Sequence, residues 1–437
     1  MKKSVMVIAL IGGIIAYVYR SWFLHAEIIG GDWPYYYEDF LSSLSLYPII
    51  WQPWLNNGLG GVQPLLGLSL FGSSLIVPFV NWFHIPWTIV YKVGWFGFFL
   101  ALSFFSPVFL WRSVFPRISS RWPGLLAGLI YSTNSYILMV TGGGQMGVAL
   151  AYSIAPFVLV GFIKLYESVY TLFSVVIPAK VGIQSGSPIG SGMTKSAIIA
   201  GLALGFQLMI DPRIAYVTMV GVGTYTVISF VRYFVDREKD LLRLLYSTFF
   251  GLSFSVGIAG LLNSFWILPM VVMKNNPLES LGSAYTSIDS IRFYSFADFS
   301  HALSLLHPNW PENLFGKVYF LQPEFLVLPL LAFSALAWMG RRTESREQIA
   351  DSREQIVFFA LLALVGAFMA KGAQEPFGSV YEWMFVHVPG FVMFRDPTKW
   401  YVLVALGYSM LVPFALEGIV DWLSRRTKSR EQRADSK

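Results

Sequence analysis

Ten predominantly apolar stretches run along the chain, near residues 4–23, 88–111, 122–141, 146–166, 196–210, 213–234, 245–273, 324–340, 356–370 and 399–422. Most approach the roughly 20 residues a helix needs to cross a bilayer. Polar segments separate them. The pattern predicts an all-α, polytopic membrane helix bundle of about ten transmembrane helices. An eleventh apolar stretch, 62–83, is nearly long enough to span, but it carries Pro64 and Pro78, with Pro86 just beyond, and several glycines. Broken helix is expected there, so it reads as an interfacial or re-entrant helix pair in the first outer loop.

Charge orients the bundle. Of the 31 Lys and Arg, 22 fall in the termini and alternate loops, among them Lys2, Lys3, Arg112, Arg117, Arg121, Arg243, Arg341 and the six basic residues of the tail. Basic loops stay in the cytoplasm. Both termini are therefore expected inside a cytoplasmic membrane, with 24–61, 274–323 and 371–398 outside. Counting 62–83 as a span would invert every later loop. Met1-Lys2-Lys3 and the apolar run after it resemble a signal peptide, but Arg20-Ser-Trp-Phe-Leu-His25 offers no small-residue cleavage site, which predicts an uncleaved first span.

Composition agrees. The chain is 55% hydrophobic and 13% charged, about half the charge of a soluble domain. The net charge of +6 reports orientation, so no nucleic-acid partner is expected. There is no Cys, and the five His have no zinc-ligand spacing. No metal-ligating residues are assigned; no cofactor is fixed, and a divalent metal is left open. The bundle is expected to occupy 1–423. Residues 178–195, rich in Gly, Ser and Pro, read as an inserted flexible cytoplasmic loop, and 424–437 as a disordered basic cytoplasmic tail. Residues 341–352 recur at 425–436 with ten of twelve identical, while their flanks do not match, so this is no fold repeat.

Candidate chemistry lies in the outer segments. Gly30-Gly31-Asp32-Trp33-Pro34 leads into three tyrosines, Glu38 and Asp39. A carboxylate beside the membrane can act as a general base, and rings such as Trp33 can stack on a sugar. Asp32 also suits a helix N-cap, with Pro in the first turn. The same Asp-Pro device recurs at Asp211-Pro212-Arg213 and at Arg395-Asp396-Pro397-Thr398-Lys399. Each should cap a helix whose N-terminus favours an anion. Arg395 and Lys399 are cations where the dipole opposes them, so either Asp396 and lipid headgroups or a bound phosphate should offset them. His301 and His307, six apart in the long outer loop, are a weak metal pair and suit packing or substrate hydrogen bonds. Asn263, Trp266 and Pro269 read as helix packing and a kink.

The first span, the outer loop opening with Asp32 and the interfacial helices resemble the integral-membrane GT-C glycosyltransferases. Residues 127–156 and the stretch Pro389-Gly390 to Lys399 are similar to the YfhO-type bacterial branch and to arabinofuranosyltransferase-like membrane proteins. The resemblance implies transfer of a sugar from a polyprenyl-phosphate donor to a cell-envelope glycan or lipid acceptor at the outer face, in contact with membrane lipids. It puts the catalytic base at Asp32 and the donor phosphate on Arg395 and Lys399. Beside these, the residues themselves offer Glu38 and Asp39 as further candidate catalytic carboxylates, Arg213 as a further phosphate contact, and Asp211, Trp33 and His307 as candidate substrate contacts. Two other readings stand beside it: a lipid-linked sugar flippase or transporter, and a non-catalytic membrane assembly protein.

Overall fold

A computed structural model describes residues 2–24, 51–52, 61–62, 77–174, 191–235, 241–272, 286–310, 316–339 and 346–435. Nearly all of it is helix. Among the described residues the only extended pairing is antiparallel, Trp51–Gln52 with Gly61–Val62. Eight described helices are long and apolar enough to cross a membrane: Trp87–Val114, Trp122–Gly142, Met146–Val169, Gly192–Ile210, Pro212–Val231, Leu245–Leu262, Ser352–Ala370 and Pro397–Thr427. Shorter apolar helices cover Met6–Val18 and Pro323–Trp338. Together these match the ten stretches of the sequence pattern. The protein is an all-α, multi-pass membrane helix bundle.

Helix is the outcome physics requires, because a backbone in hydrocarbon must satisfy its polar groups within the segment. Large apolar side chains such as Phe105, Val231, Leu261 and Leu330 are left exposed on these helices. In water so many would be untenable; on a membrane span they face lipid.

The chain forms two compact units. The first comprises Met1–Ser21, Ser103–Gly142 and Ile291–Lys437; the second Trp22–Leu102 and Gly143–Ser290.

In the first unit the last helix, Tyr401–Asp435, is the central post. Every residue from Tyr401 to Ala415 is buried, as expected for a helix apolar on all sides. It packs antiparallel against Arg346–Ala370. Gly407 permits the approach: a Cβ there would lie 2.7 Å from the Phe359 carbonyl oxygen and 2.8 Å from the Ala363 Cβ. Tyr19 ties the first helix in by donating its hydroxyl to the Ser132 carbonyl at 2.6 Å.

In the second unit, small residues again bring helices together. A Cβ on Gly201 would lie 2.6 Å from the Ser255 carbonyl oxygen. Polar side chains bridge the same helices. Ser255 donates to the Ala197 carbonyl, Asn263 to the Gly205 carbonyl, and Gln207 to the Ala151 carbonyl and the Thr218 hydroxyl. Helix packing and a kink are expected over Asn263, Trp266 and Pro269, and an interruption lies at the first of them. The helix breaks between Leu262 and Ser264, and the Trp266 indole donates to the Asn263 Oδ1 at 2.8 Å.

Three elements differ from the sequence reading. The final helix continues to Asp435, so the tail expected to be disordered is helical. Its Arg, Lys, Glu and Gln are good helix formers, and extending an existing helix avoids the cost of a nucleus. The helix preceding Asp211 begins at Ser191, so residues 191–195 of the expected loop are helix; 178–190 lie outside the described residues. The third span is interrupted at Asn134, between helices Trp122–Thr133 and Ser135–Gly142. Asn134 caps the second piece by accepting from the Ile137 N–H at 3.1 Å. Of the stretch 62–83, residues 63–76 lie outside the described residues; Val77–Asn81 is a short helix.

Candidate functional site

Within the first unit, segments 291–310 and 371–400 fold together at one end of the bundle. Part of the long loop sinks into the bundle. Ile288–Tyr294 and Phe299–Leu303 are short helices, and His301, Ala302, Leu305, Leu306 and His307 are buried. Phenols hold the buried backbone. Tyr401 donates to the Leu306 carbonyl at 2.6 Å and Tyr408 to the Leu303 carbonyl at 2.7 Å. The Ser135 hydroxyl, freed by the break at Asn134, donates to the Leu305 carbonyl. These bonds satisfy carbonyls that burial would otherwise leave orphaned. The second segment is joined on by Ser295, whose hydroxyl accepts from the Ala373 N–H at 2.9 Å and whose carbonyl accepts from Gln374.

The junction leaves an open cleft of about 430 Å³ lined by Phe296, Asp298, His301, Asn309, Tyr319 and Gln374, with Pro308. Asp298 caps the helix Phe299–Leu303 by accepting from the His301 N–H at 2.8 Å. The same carboxylate oxygen lies 3.0 Å from His301 Nδ1. On its other side the ring's Nε2 lies 3.1 Å from the Val318 carbonyl oxygen. Burial pushes the Asp298 carboxyl up, but the hydrogen bonds and charge of His301 outweigh that and hold it below its usual value.

Behind this cleft sits a second polar cluster. Asp396 accepts from the Thr398 N–H at 3.0 Å and caps the turn Pro397–Trp400, which is the Asp-Pro device expected from the sequence. Its other oxygen receives the Lys399 ammonium at 2.9 Å. Lys399 is 3% exposed and Asp396 27%, so the cation is enclosed and the carboxylate half-buried. Burial pushes Asp396 up; Lys399 and Thr398 override it and hold the carboxyl at about 2. His307 packs edge-on against Phe296 and Trp310, at 5.5 and 5.4 Å. Burial lowers its pKa to about 4; the Asp396 charge pulls it up, while Lys399 and His301 push it further down.

The structure thus brings His307, Asp396 and Lys399 together, with Asp298 and His301 alongside. Arg395, half-buried, lays its guanidinium over the Tyr294 ring at 5.1 Å. Asp211 and Arg213 belong to the second unit. Asp211 accepts from the backbone N–H groups of Arg213 and Ile214, at 2.9 and 3.3 Å, as a cap should. It also takes a bidentate bond from the Arg213 guanidinium, at 3.1 and 2.7 Å. Asp32, Trp33, Glu38 and Asp39 lie outside the described residues, and with them the distance from Asp32 to Arg395. Among the described residues no group of three His, Asp or Glu is arranged to hold a metal ion.

Sequence reasoning missed Asp298 and Tyr319. Asp298-Phe-Ser-His301 carried a signal, since a capping Asp three residues before a His brings the two side chains together. Tyr319 carried none. No protein-family model, curated protein or solved structure matches the chain.

Proposed function

We propose that this protein is a membrane glycosyltransferase that moves a sugar from a polyprenyl-phosphate donor to a cell-envelope acceptor at the outer face of the cytoplasmic membrane. One observation carries the reading. The two segments that basic-residue asymmetry assigns to the outside fold together and leave a polar, aromatic-walled cleft at a bundle end. In the reaction the Asp32 carboxylate takes the acceptor hydroxyl proton. The hydroxyl oxygen bonds to the anomeric carbon as the carbon–oxygen bond to phosphate breaks, and the polyprenyl phosphate leaves with the electron pair. Cations stabilise that leaving group. Arg395 fits the role with its guanidinium at the half-buried surface. Lys399 already neutralises Asp396, so it would contribute field more than direct contact. Membranes carrying the protein should release sugar from a polyprenyl-phosphate donor. Asp32→Asn should abolish transfer and spare donor binding, and Arg395→Ala should weaken donor use. Wild-type membranes that transfer nothing across a panel of hexosyl and pentosyl donors would end this reading.

A further inference from the structure

We infer that the cleft between Phe296 and Tyr319 is a binding site for one uncharged sugar ring. This deepens the proposed transfer and rests on it only for the ring's role as donor or acceptor.

The volume comes first. About 430 Å³ falls within the roughly 300–1,000 Å³ typical of small-molecule sites. Charge comes next. Among the described residues no Lys or Arg lines the cleft, and the Asp298 carboxylate does. A phosphate there would face a like charge, so the cleft does not seat the donor's phosphate. The lining chemistry then selects a ligand class. A sugar ring has a face of C–H groups and a rim of hydroxyls. Phe296 and Tyr319 supply apolar ring surface. Asn309, Gln374, Asp298 and His301 supply donors and acceptors. A carboxylate accepts strongly from hydroxyls. A quaternary ammonium ion also favours rings and a carboxylate, but it could use neither amide. The carboxylate also already faces the His301 ring at 3.0 Å. The sugar is therefore favoured.

Tyr319 is 59% exposed, so Tyr319→Ala removes a wall without opening the core. Asp298→Asn keeps a residue able to cap the helix Phe299–Leu303 and removes only the charge. Phe320, 84% exposed and outside the cleft lining, serves as a control.

The test uses the full chain in lipid nanodiscs. Methyl glycosides of glucose, galactose, mannose and arabinofuranose are titrated by saturation-transfer NMR, with tetramethylammonium as the competing probe. At least one glycoside should bind saturably. Tyr319→Ala should weaken it roughly 5- to 10-fold, as loss of an aromatic contact implies. Asp298→Asn should weaken it roughly 5-fold, the difference between a charged and a neutral hydrogen-bond partner. Phe320→Ala should leave it unchanged. Glycosides that do not saturate, variants that bind like wild type, or displacement by tetramethylammonium alone would overturn the inference. In a transfer assay, a rise in the acceptor KM of Tyr319→Ala assigns the ring to the acceptor, and a rise in the donor KM to the donor. Glycoside binding without any transfer would sink the enzyme reading and leave this site standing. Transfer that Tyr319→Ala and Asp298→Asn leave untouched, in KM and in binding, would do the reverse.

Discussion

His307 should stay neutral well into acid. Its imidazole is buried between Phe296 and Trp310, and charging it there means giving up hydration. The resulting pKa of about 4, against an ordinary 6.5, corresponds to on the order of 3 kcal/mol. The sign follows from proton binding. Between those two values the unfolded chain binds the proton more readily than the folded one. Stability is therefore undiminished by this group above about pH 6.5 and falls as pH drops through 4. The assay is direct because the chain has only five His. Full-length protein labelled with ¹³C-histidine in nanodiscs gives few ring signals, and His307→Gln identifies the one of interest. At pH 5.5 an ordinary imidazole is about 90% protonated, and one with a pKa of 4 only about 3%. A His307 signal that titrates near 6.5 would refute the burial argument. A signal that stays neutral to about pH 4.5 would support it, and the fall in thermal stability should then occupy the same window.

Lys399→Met should destabilise the first unit by about 2 kcal/mol, because it removes a charge-assisted hydrogen bond from the half-buried Asp396 carboxylate. Adding Asp396→Asn should restore most of the loss, and thermal unfolding of the single and double variants checks both. Arg395→Ala should cost about 1 kcal/mol or less in the same measurement, the scale of one cation–π contact at a partly exposed site. Gly407→Val should cost about 3 kcal/mol or prevent insertion, since its side chain would meet the Phe359 carbonyl at a helix contact; membrane yield and unfolding temperature report it. Reporter fusions after Arg121 and Arg243 should read cytoplasmic, and an external reading after Arg121 would mean that 62–83 spans.

The spans were legible because hydrocarbon imposes one rule on every helix, apolar length, and that rule is local. The Asp-Pro caps at 211 and 396 were legible for the same reason: cap, proline and donating N–H lie within three residues. Lys399 could be read only as one of two outcomes, since a lysine three residues past an aspartate can turn to it or away to a phosphate. The sunken loop was not legible. Its burial depends on Tyr401 and Tyr408, about a hundred residues away, reaching the carbonyls of Leu306 and Leu303. No periodicity in 286–310 announces that. The break at Asn134 did carry a signal, the run Ser132-Thr133-Asn134-Ser135 inside an apolar stretch. Its purpose became visible only with Leu305 beside Ser135.

The phenol bonds from Tyr401 and Tyr408 fasten the cleft's floor to the most deeply buried helix of the unit. That floor is rigid before any ligand arrives, so no ordering cost falls on it at binding. Adaptation is left to the rim, where Asp298, Tyr319 and Gln374 are exposed. A rigid floor under a yielding rim separates two properties that mutation can address one at a time. Changes to the buried His301 would alter the floor that every ligand meets, and changes to Asp298, Tyr319 or Gln374 would alter the contacts that a ligand makes on entering.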